Sequence, residues 1–302
     1  MTHKERMLAV LRGAPTDRIP WAPRLDLWHA ANQRAGTLPA RYRNATVRDI
    51  TDDLDFGYHA VVPRFKDLRD PSDDIHRALG VFNLWFMPFT THFRNVDVAV
   101  KRDGDKTHVE YRTPVGNLTT TTVYDENMRK AGVSITHISE PAIKEVKDYG
   151  VVSHLFENAE VTPNSGGYQE FTDYVGARGL AVGFLSLAAS PMHLLQRELM
   201  PMDRFFYDLY DHPEELGRCA ESIGKYFDRM FEATAQCPAE VLFLGANYDA
   251  SVTYPPFFEE HIVPWLKKFA GLLHARGKFL LTHTDGENTG LLDHYLQAEI
   301  DI

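Results

Sequence analysis

The chain has 302 residues, 44% of them apolar and 25% charged, with a formal net charge of −10. That suits a single α/β domain over 1–302 with a full core, and the acidic balance, with no basic stripe, argues against nucleic acid as a partner. Two cysteines without metal-like spacing, no signal-peptide core at Met1 to Met7 and no run near the roughly 18 apolar residues of a membrane span point to a cytoplasmic protein, off the membrane, with a small-molecule ligand.

Residues 3–12 have helical spacing, with Met7, Leu8 and Leu11 on one side and Gly13 as the stop. Asp17 to Trp21 enters an extended piece ending near Asp26. This piece carries Arg24, Asp26, Trp28 and His29, and its bland reading is a surface loop with one buried tryptophan. Thr46 caps a helix to about Leu54, with Asp49 completing a capping box. Tyr58 to Val62, including His59, reads as a strand broken by Pro63. Over 93–123 the alternation of Val96, Val98 and Val100, the Asp103-Gly104 turn signal and the β-branched run Thr119 to Val123 predict an inserted antiparallel meander of about three strands, with the threonines on an edge. Ser139-Glu140-Pro141 opens a helical stretch to about Asn158.

From there helices and strands alternate. Helices are predicted over 165–177, from Ser190-Pro191, over 202–210, over 213–235, over 255–276 with a kink at Pro264, and over 289–298. Strands are predicted over 180–185, 240–244 and 278–282. Such alternation implies a parallel sheet. No glycine-rich dinucleotide or phosphate loop follows any strand. Polar residues recur instead at strand exits: Arg24 and Asp26, Asn247 and Asp249, His283 and Asp285. That pattern predicts a TIM (β/α)₈-type barrel with one site on its C-terminal face. The chain ends where a new strand begins, so the barrel is expected to be truncated at its C-terminus.

Gly277 to Asn288 is the most informative stretch. Residues i and i+2 of an extended chain share a side, so His283 and Asp285 project together and Gly286 turns the backbone behind them. Such a pair serves equally as a metal site, an acid/base pair or a substrate clamp. The bland alternative is that Asp285 or Asn288 caps the following helix.

Several motifs occur in a fixed order. They are Glu5-Arg6 through Gly13 to Asp17-Arg18-Ile19-Pro20, Arg24 to Trp28, Ser190-Pro191, Asp211-His212-Pro213-Glu214, Pro264, and Gly277-Lys278 leading to His283-Thr284-Asp285-Gly286. In this order the chain resembles the uroporphyrinogen decarboxylase superfamily, which includes the corrinoid-dependent methyltransferases. The resemblance implies a distorted TIM barrel. Its decarboxylase branch grips substrate carboxylates with two arginines of an N-terminal loop; Arg24 matches the first, Trp28 stands at the second, and Tyr58 to Arg64 lacks that branch's essential acid. Its methyltransferase branch holds zinc with a His-x-Cys pair and a later cysteine. Here His283 matches the histidine and Asp285 replaces the cysteine, a harder donor set suited to an oxygen or nitrogen substrate.

Three readings follow. The first is a corrinoid-linked methyltransferase or demethylase acting on a small methylated compound, with zinc as a cofactor and the corrinoid supplied by a partner protein. The second is uroporphyrinogen decarboxylase of porphyrin biosynthesis, and the third a ligand-binding barrel without chemistry. The expected catalytic group is His283, Asp285 and Asp249. The expected substrate-binding group is Arg24, Asp26, Trp28, Asn247 and His59. The expected metal ligands are His283, Asp285 and Glu287. A second copy of the chain, forming a homodimer, is a further expected partner.

Overall fold

The computed structural model describes residues 1–302. Its β-branched and aliphatic runs form β1 (Phe89–Phe93), β2 (Asp97–Asp103), β3 (Lys106–Thr113), β4 (Gly116–Val123), β5 (His137–Glu140), β6 (Ala159–Pro163), β7 (Gly183–Ser186), β8 (Val241–Tyr248) and β9 (Phe279–Thr284). These make three separate sheets: an antiparallel pair β1-β6, an antiparallel sheet β2-β3-β4-β5, and a parallel sheet β7-β8-β9.

The expected eight-stranded (β/α)₈ barrel is therefore not formed. Only β7, β8 and β9 pair in parallel, and the other six strands are antiparallel. The reason lies in the first half of the chain. Parallel neighbours need long crossovers, whereas tight turns join antiparallel ones. The segment 97–123 has the short turns, with Gly104 at φ +55° between β2 and β3. The segment around Tyr58, stopped by Pro63, makes isolated backbone bonds in place of a ladder.

Those bonds still extend the parallel layer. Tyr58 N donates to Arg178 O at 2.8 Å and Val182 N to Ala60 O at 3.1 Å, while Gly57 N reaches Trp21 O at 2.7 Å. On the other side Asp301 N donates to Leu280 O at 3.1 Å and Thr282 N to Ile302 O at 3.0 Å. The exits of β8 and β9, His59 and the chain after Trp21 thus come to one edge of the layer.

Burial of Val241 to Leu244 on both sides explains their unbroken apolar run. Helices Pro213–Ala235 and Val263–His274 cover the sheet. They meet through Phe231 and Phe269, whose rings stack at 4.3 Å between centroids, a contact worth about 0.5–1.5 kcal/mol beyond burial. Pro264 sits early in its helix, where its missing N–H is harmless, and the turn before it, Phe258–Ile262, is a π-type widening.

Other expectations need correction. The meander has four strands, and β4 with its threonines is interior, between β3 and β5; the charged edge is β2, which carries Lys101 and Arg102. Ser139 and Glu140 belong to β5, and the helix starts only at Asp148. Asp26–Ala35 is a helix rather than an extended loop. It buries His29, whose Nε2 lies 2.7 Å from Ala45 O, and leaves Trp28 exposed. No helix is long and apolar enough to cross a membrane.

Candidate functional site

Two polar groups and an apolar cavity lie on the layer that β8 and β9 build, and the ends of such strands are where open α/β sheets bind ligands. His59 lies in the extended segment beside β7. Its Nε2 is 3.4 Å from Val62 N, and burial lowers its pKa. The charge of Asp26 and the Ala22 carbonyl act against that shift, and Arg24 and His283 add to it. Arg24 Nε in turn donates to Asp26 Oδ1 at 3.1 Å. Burial thus favours the uncharged imidazole, whose Nε2 accepts from Val62 N.

The second group is built on β8, β9 and the helix after β7. His283 and Asp285 do share a side, as their spacing requires: His283 Nδ1 is 3.8 Å from Asp285 Oδ2. That is too long for a hydrogen bond, and Nδ1 is buried without a partner. Asn247 supports the carboxylate. With its amide oriented to satisfy both neighbours, it donates to Asp285 Oδ2 at 3.1 Å and accepts from Arg197 Nη2 at 3.1 Å. Asn247 has φ +61°, a conformation that asparagine tolerates better than most residues and that clusters at functional sites.

Arg197 carries the network inward. It donates from Nε to Glu198 Oε1 at 2.9 Å and from Nη1 to Ala246 O at 3.2 Å. Glu198 also pairs with Arg77, and both are buried. The line Arg77, Glu198, Arg197, Asn247, Asp285 thus runs from the core to His283. Sequence reasoning missed Arg197 and Glu198; two charges beside the apolar face of the helix opened by Ser190-Pro191 were the available signal. It also missed His193, whose Nδ1 lies 3.2 Å from Ala189 N and which burial, with Arg197 adding to it, lowers to about 3.

Asp249 and Glu287, placed in the catalytic and metal-ligating groups by sequence, are both committed to the loop. Asp249 Oδ1 accepts from the Ser251 hydroxyl and from Ser251 N at 2.8 Å, and Oδ2 from Glu287 N at 3.1 Å, which hold its carboxyl below the usual range. Glu287 Oε1 accepts from Thr289 N at 2.7 Å. Gly286, at φ +80°, packs so closely on the Asp249 carboxylate that a Cβ would overlap it. No group of three or more His, Cys, Asp or Glu side chains is arranged to hold a metal ion. Zinc needs at least three protein ligands, so the set His283, Asp285, Glu287 does not fit it.

Beside His59 lies a cavity of about 210 Å³. Asp26 and His59 form part of its wall; the rest is mainly apolar, with Tyr58, Trp85, Phe86, Phe171, Tyr174 and Phe184 supplying aromatic surface. Arg64 stands at the rim, another residue that sequence reasoning passed over although it ends the strand-like run after Pro63. Trp28 lies outside the wall. A cavity of about 150 Å³ accepts benzene, so this one takes a single ring with a substituent.

No protein-family model matches the chain, and no curated protein matches it. Among solved structures, a methyltransferase from Methanosarcina mazei is similar at 15% identity, over 100% of this chain and 75% of that one, with a TM-score of 0.42. A likeness of that size assigns neither fold nor activity to this chain.

Proposed function

We propose that this chain is an enzyme of methyl transfer, removing a methyl group from a small organic compound and passing it to a reduced corrinoid carried by a second protein. The observations that carry the reading are the single-ring cavity walled by His59 and, at the exit of β9, a histidine–carboxylate pair that a buried network braces. The order of motifs from Glu5 to Gly286 resembles a superfamily that holds both decarboxylases and methyltransferases, and the missing decarboxylase residues give methyl transfer precedence.

Departure of a methyl group from an ether oxygen or an amine leaves electron density on that atom, and a proton must reach it. His283 is the proposed donor, with Asp285 stabilising its charged form and Asn247 keeping Asp285 in place. His59 and Asp26 give the cavity its polar wall, and the apolar remainder excludes water from the reacting bond. The decarboxylase alternative lacks its second arginine, where Trp28 stands, and its acid, which Tyr58 to Arg64 does not supply.

The test is single-turnover methyl transfer to a reduced corrinoid from a panel of methoxylated, N-methylated and S-methylated single-ring and aliphatic donors. Transfer from at least one oxygen or nitrogen donor is expected. Inertness to the whole panel, together with formation of coproporphyrinogen from uroporphyrinogen, would replace this reading with the decarboxylase one.

A further inference from the structure

The cavity beside His59 has one cation at its rim that nothing neutralises. Arg64 borders both the cavity and an adjoining open basin of about 560 Å³ that also holds Arg34, Lys66 and Arg129. The other cations there are taken: Lys66 pairs with Asp74 at 2.6 Å, Arg129 with Asp105 at 2.7 Å and Glu126 at 2.9 Å, and Arg34 faces Glu126 at 3.8 Å. Arg64 has no such partner. Of the two acids in the cavity wall, Asp26 is paired with Arg24 at 3.1 Å and Asp67 is exposed to solvent. The apolar interior has its own unmet need, because Trp85, in the wall, carries a buried Nε1–H with no acceptor.

We infer that the cavity takes a single-ring aromatic monocarboxylate, its ring among Phe86, Phe171 and Tyr174 and its carboxylate on Arg64 at the rim. This deepens the methyl-transfer reading by naming its substrate class, and it rests on that reading only for what happens to the ligand afterwards. The chemistry fits each part of the wall. Tyr58 and Tyr174 already meet edge to face at 5.9 Å and Trp85 and Phe86 at 5.5 Å; a further ring joins such a set in the same offset geometry. A guanidinium fork matches a carboxylate in two parallel hydrogen bonds, which a neutral amide or a cation cannot reproduce. The volume is enough for one ring and a small substituent.

The experiment is calorimetric titration of the wild-type protein with benzoate, benzamide and benzylammonium, each to about 20 mM, repeated with Arg64→Met and Arg64→Lys. Arg64 is exposed, so neither substitution disturbs the core. Benzoate is expected to bind best to wild type. Arg64→Met should weaken benzoate about ten-fold or more, as for loss of a charged hydrogen bond, and leave benzamide unchanged; Arg64→Lys should restore part of the loss. No benzoate binding, equal binding of benzoate and benzamide, or an Arg64→Met protein that binds benzoate as before would each overturn the inference. Its failure separates from that of the methyl-transfer reading: Arg64-dependent benzoate binding with no transfer from any donor leaves the anion site standing and removes the reaction.

Discussion

Glu198 offers the sharpest energetic test of the network behind the site. Its side chain is 3% exposed and bridges Arg77, 8% exposed, to Arg197, 20% exposed. Arg77 Nε already lacks a hydrogen-bond partner, so Glu198 is the only carboxylate offsetting that buried charge. Glu198→Ala leaves the guanidinium unpaired in the core, which costs about 3–5 kcal/mol. Against a total stability of about 5–15 kcal/mol that is a large fraction. In urea, with an m-value of about 3 kcal/mol/M, the unfolding midpoint should fall by about 1–2 M. The double variant Arg77→Met, Glu198→Leu replaces both charges by apolar groups of similar length and should recover most of the loss. A midpoint unchanged in Glu198→Ala, or a double variant as unstable as the single one, would refute the claim that this pair is an uncompensated charge when broken.

Three further outcomes follow from the geometry. Burial holds His76 at about 4, with His92 adding to the effect, and His193 at about 3, against 6.5 in the unfolded chain. Below pH 6.5 the unfolded chain therefore binds protons that the folded one does not. Stability is full above that pH and is lost as pH falls toward 4 and then 3, by about 1.4 kcal/mol per pH unit for each histidine. Denaturant titrations between pH 6 and 5 should show this slope and a shallower one in His193→Gln; an unchanged slope would contradict it. Gly286→Ala forces a side chain into φ +80° against Asp249, costing about 1–2 kcal/mol and loosening the turn that carries Asp285, seen as faster amide exchange over 284–288; unchanged exchange would mean that the contact is not restrictive. Because no three ligating side chains converge, chelator treatment should leave the unfolding midpoint and methyl transfer intact, and stoichiometric zinc lost in His283→Ala would show otherwise.

The second half of the fold was legible because its periodicities are long and its punctuation strong. Pro213–Ala235 and Ser165–Val175 formed as the apolar spacing and their start signals required, and Thr46 closed its capping box with Asp49. The architecture was not legible. Alternation after residue 180 is real, but a local pattern does not count strands, and the first half pairs its strands antiparallel. Asp26–Ala35 was hidden because Leu25 and Leu27 alternate with Arg24 and Asp26 as in an extended segment; the helix is set instead by Gly36 at φ +69° as its stop and by the burial of His29. At the site, the i, i+2 rule placed His283 and Asp285 on one side and Asn247 meets Asp285, while Asp26 and His59 line the cavity, whose wall includes neither member of the pair. The uses of Asp249 and Glu287 could not be foreseen, since a carboxylate bonded to its own loop has the same sequence signature as one aimed at a ligand. Arg64 and Arg197 were overlooked because a lone arginine carries no spacing.

The most direct measurement is single-turnover methyl transfer from the best donor to a reduced corrinoid, with wild type beside His283→Ala and Asp285→Asn. If His283 supplies the proton and Asp285 supports it, both variants should slow the step by about 10²–10⁴-fold with donor affinity little changed. Full-rate transfer by either variant would contradict a reaction centred on this histidine–carboxylate pair.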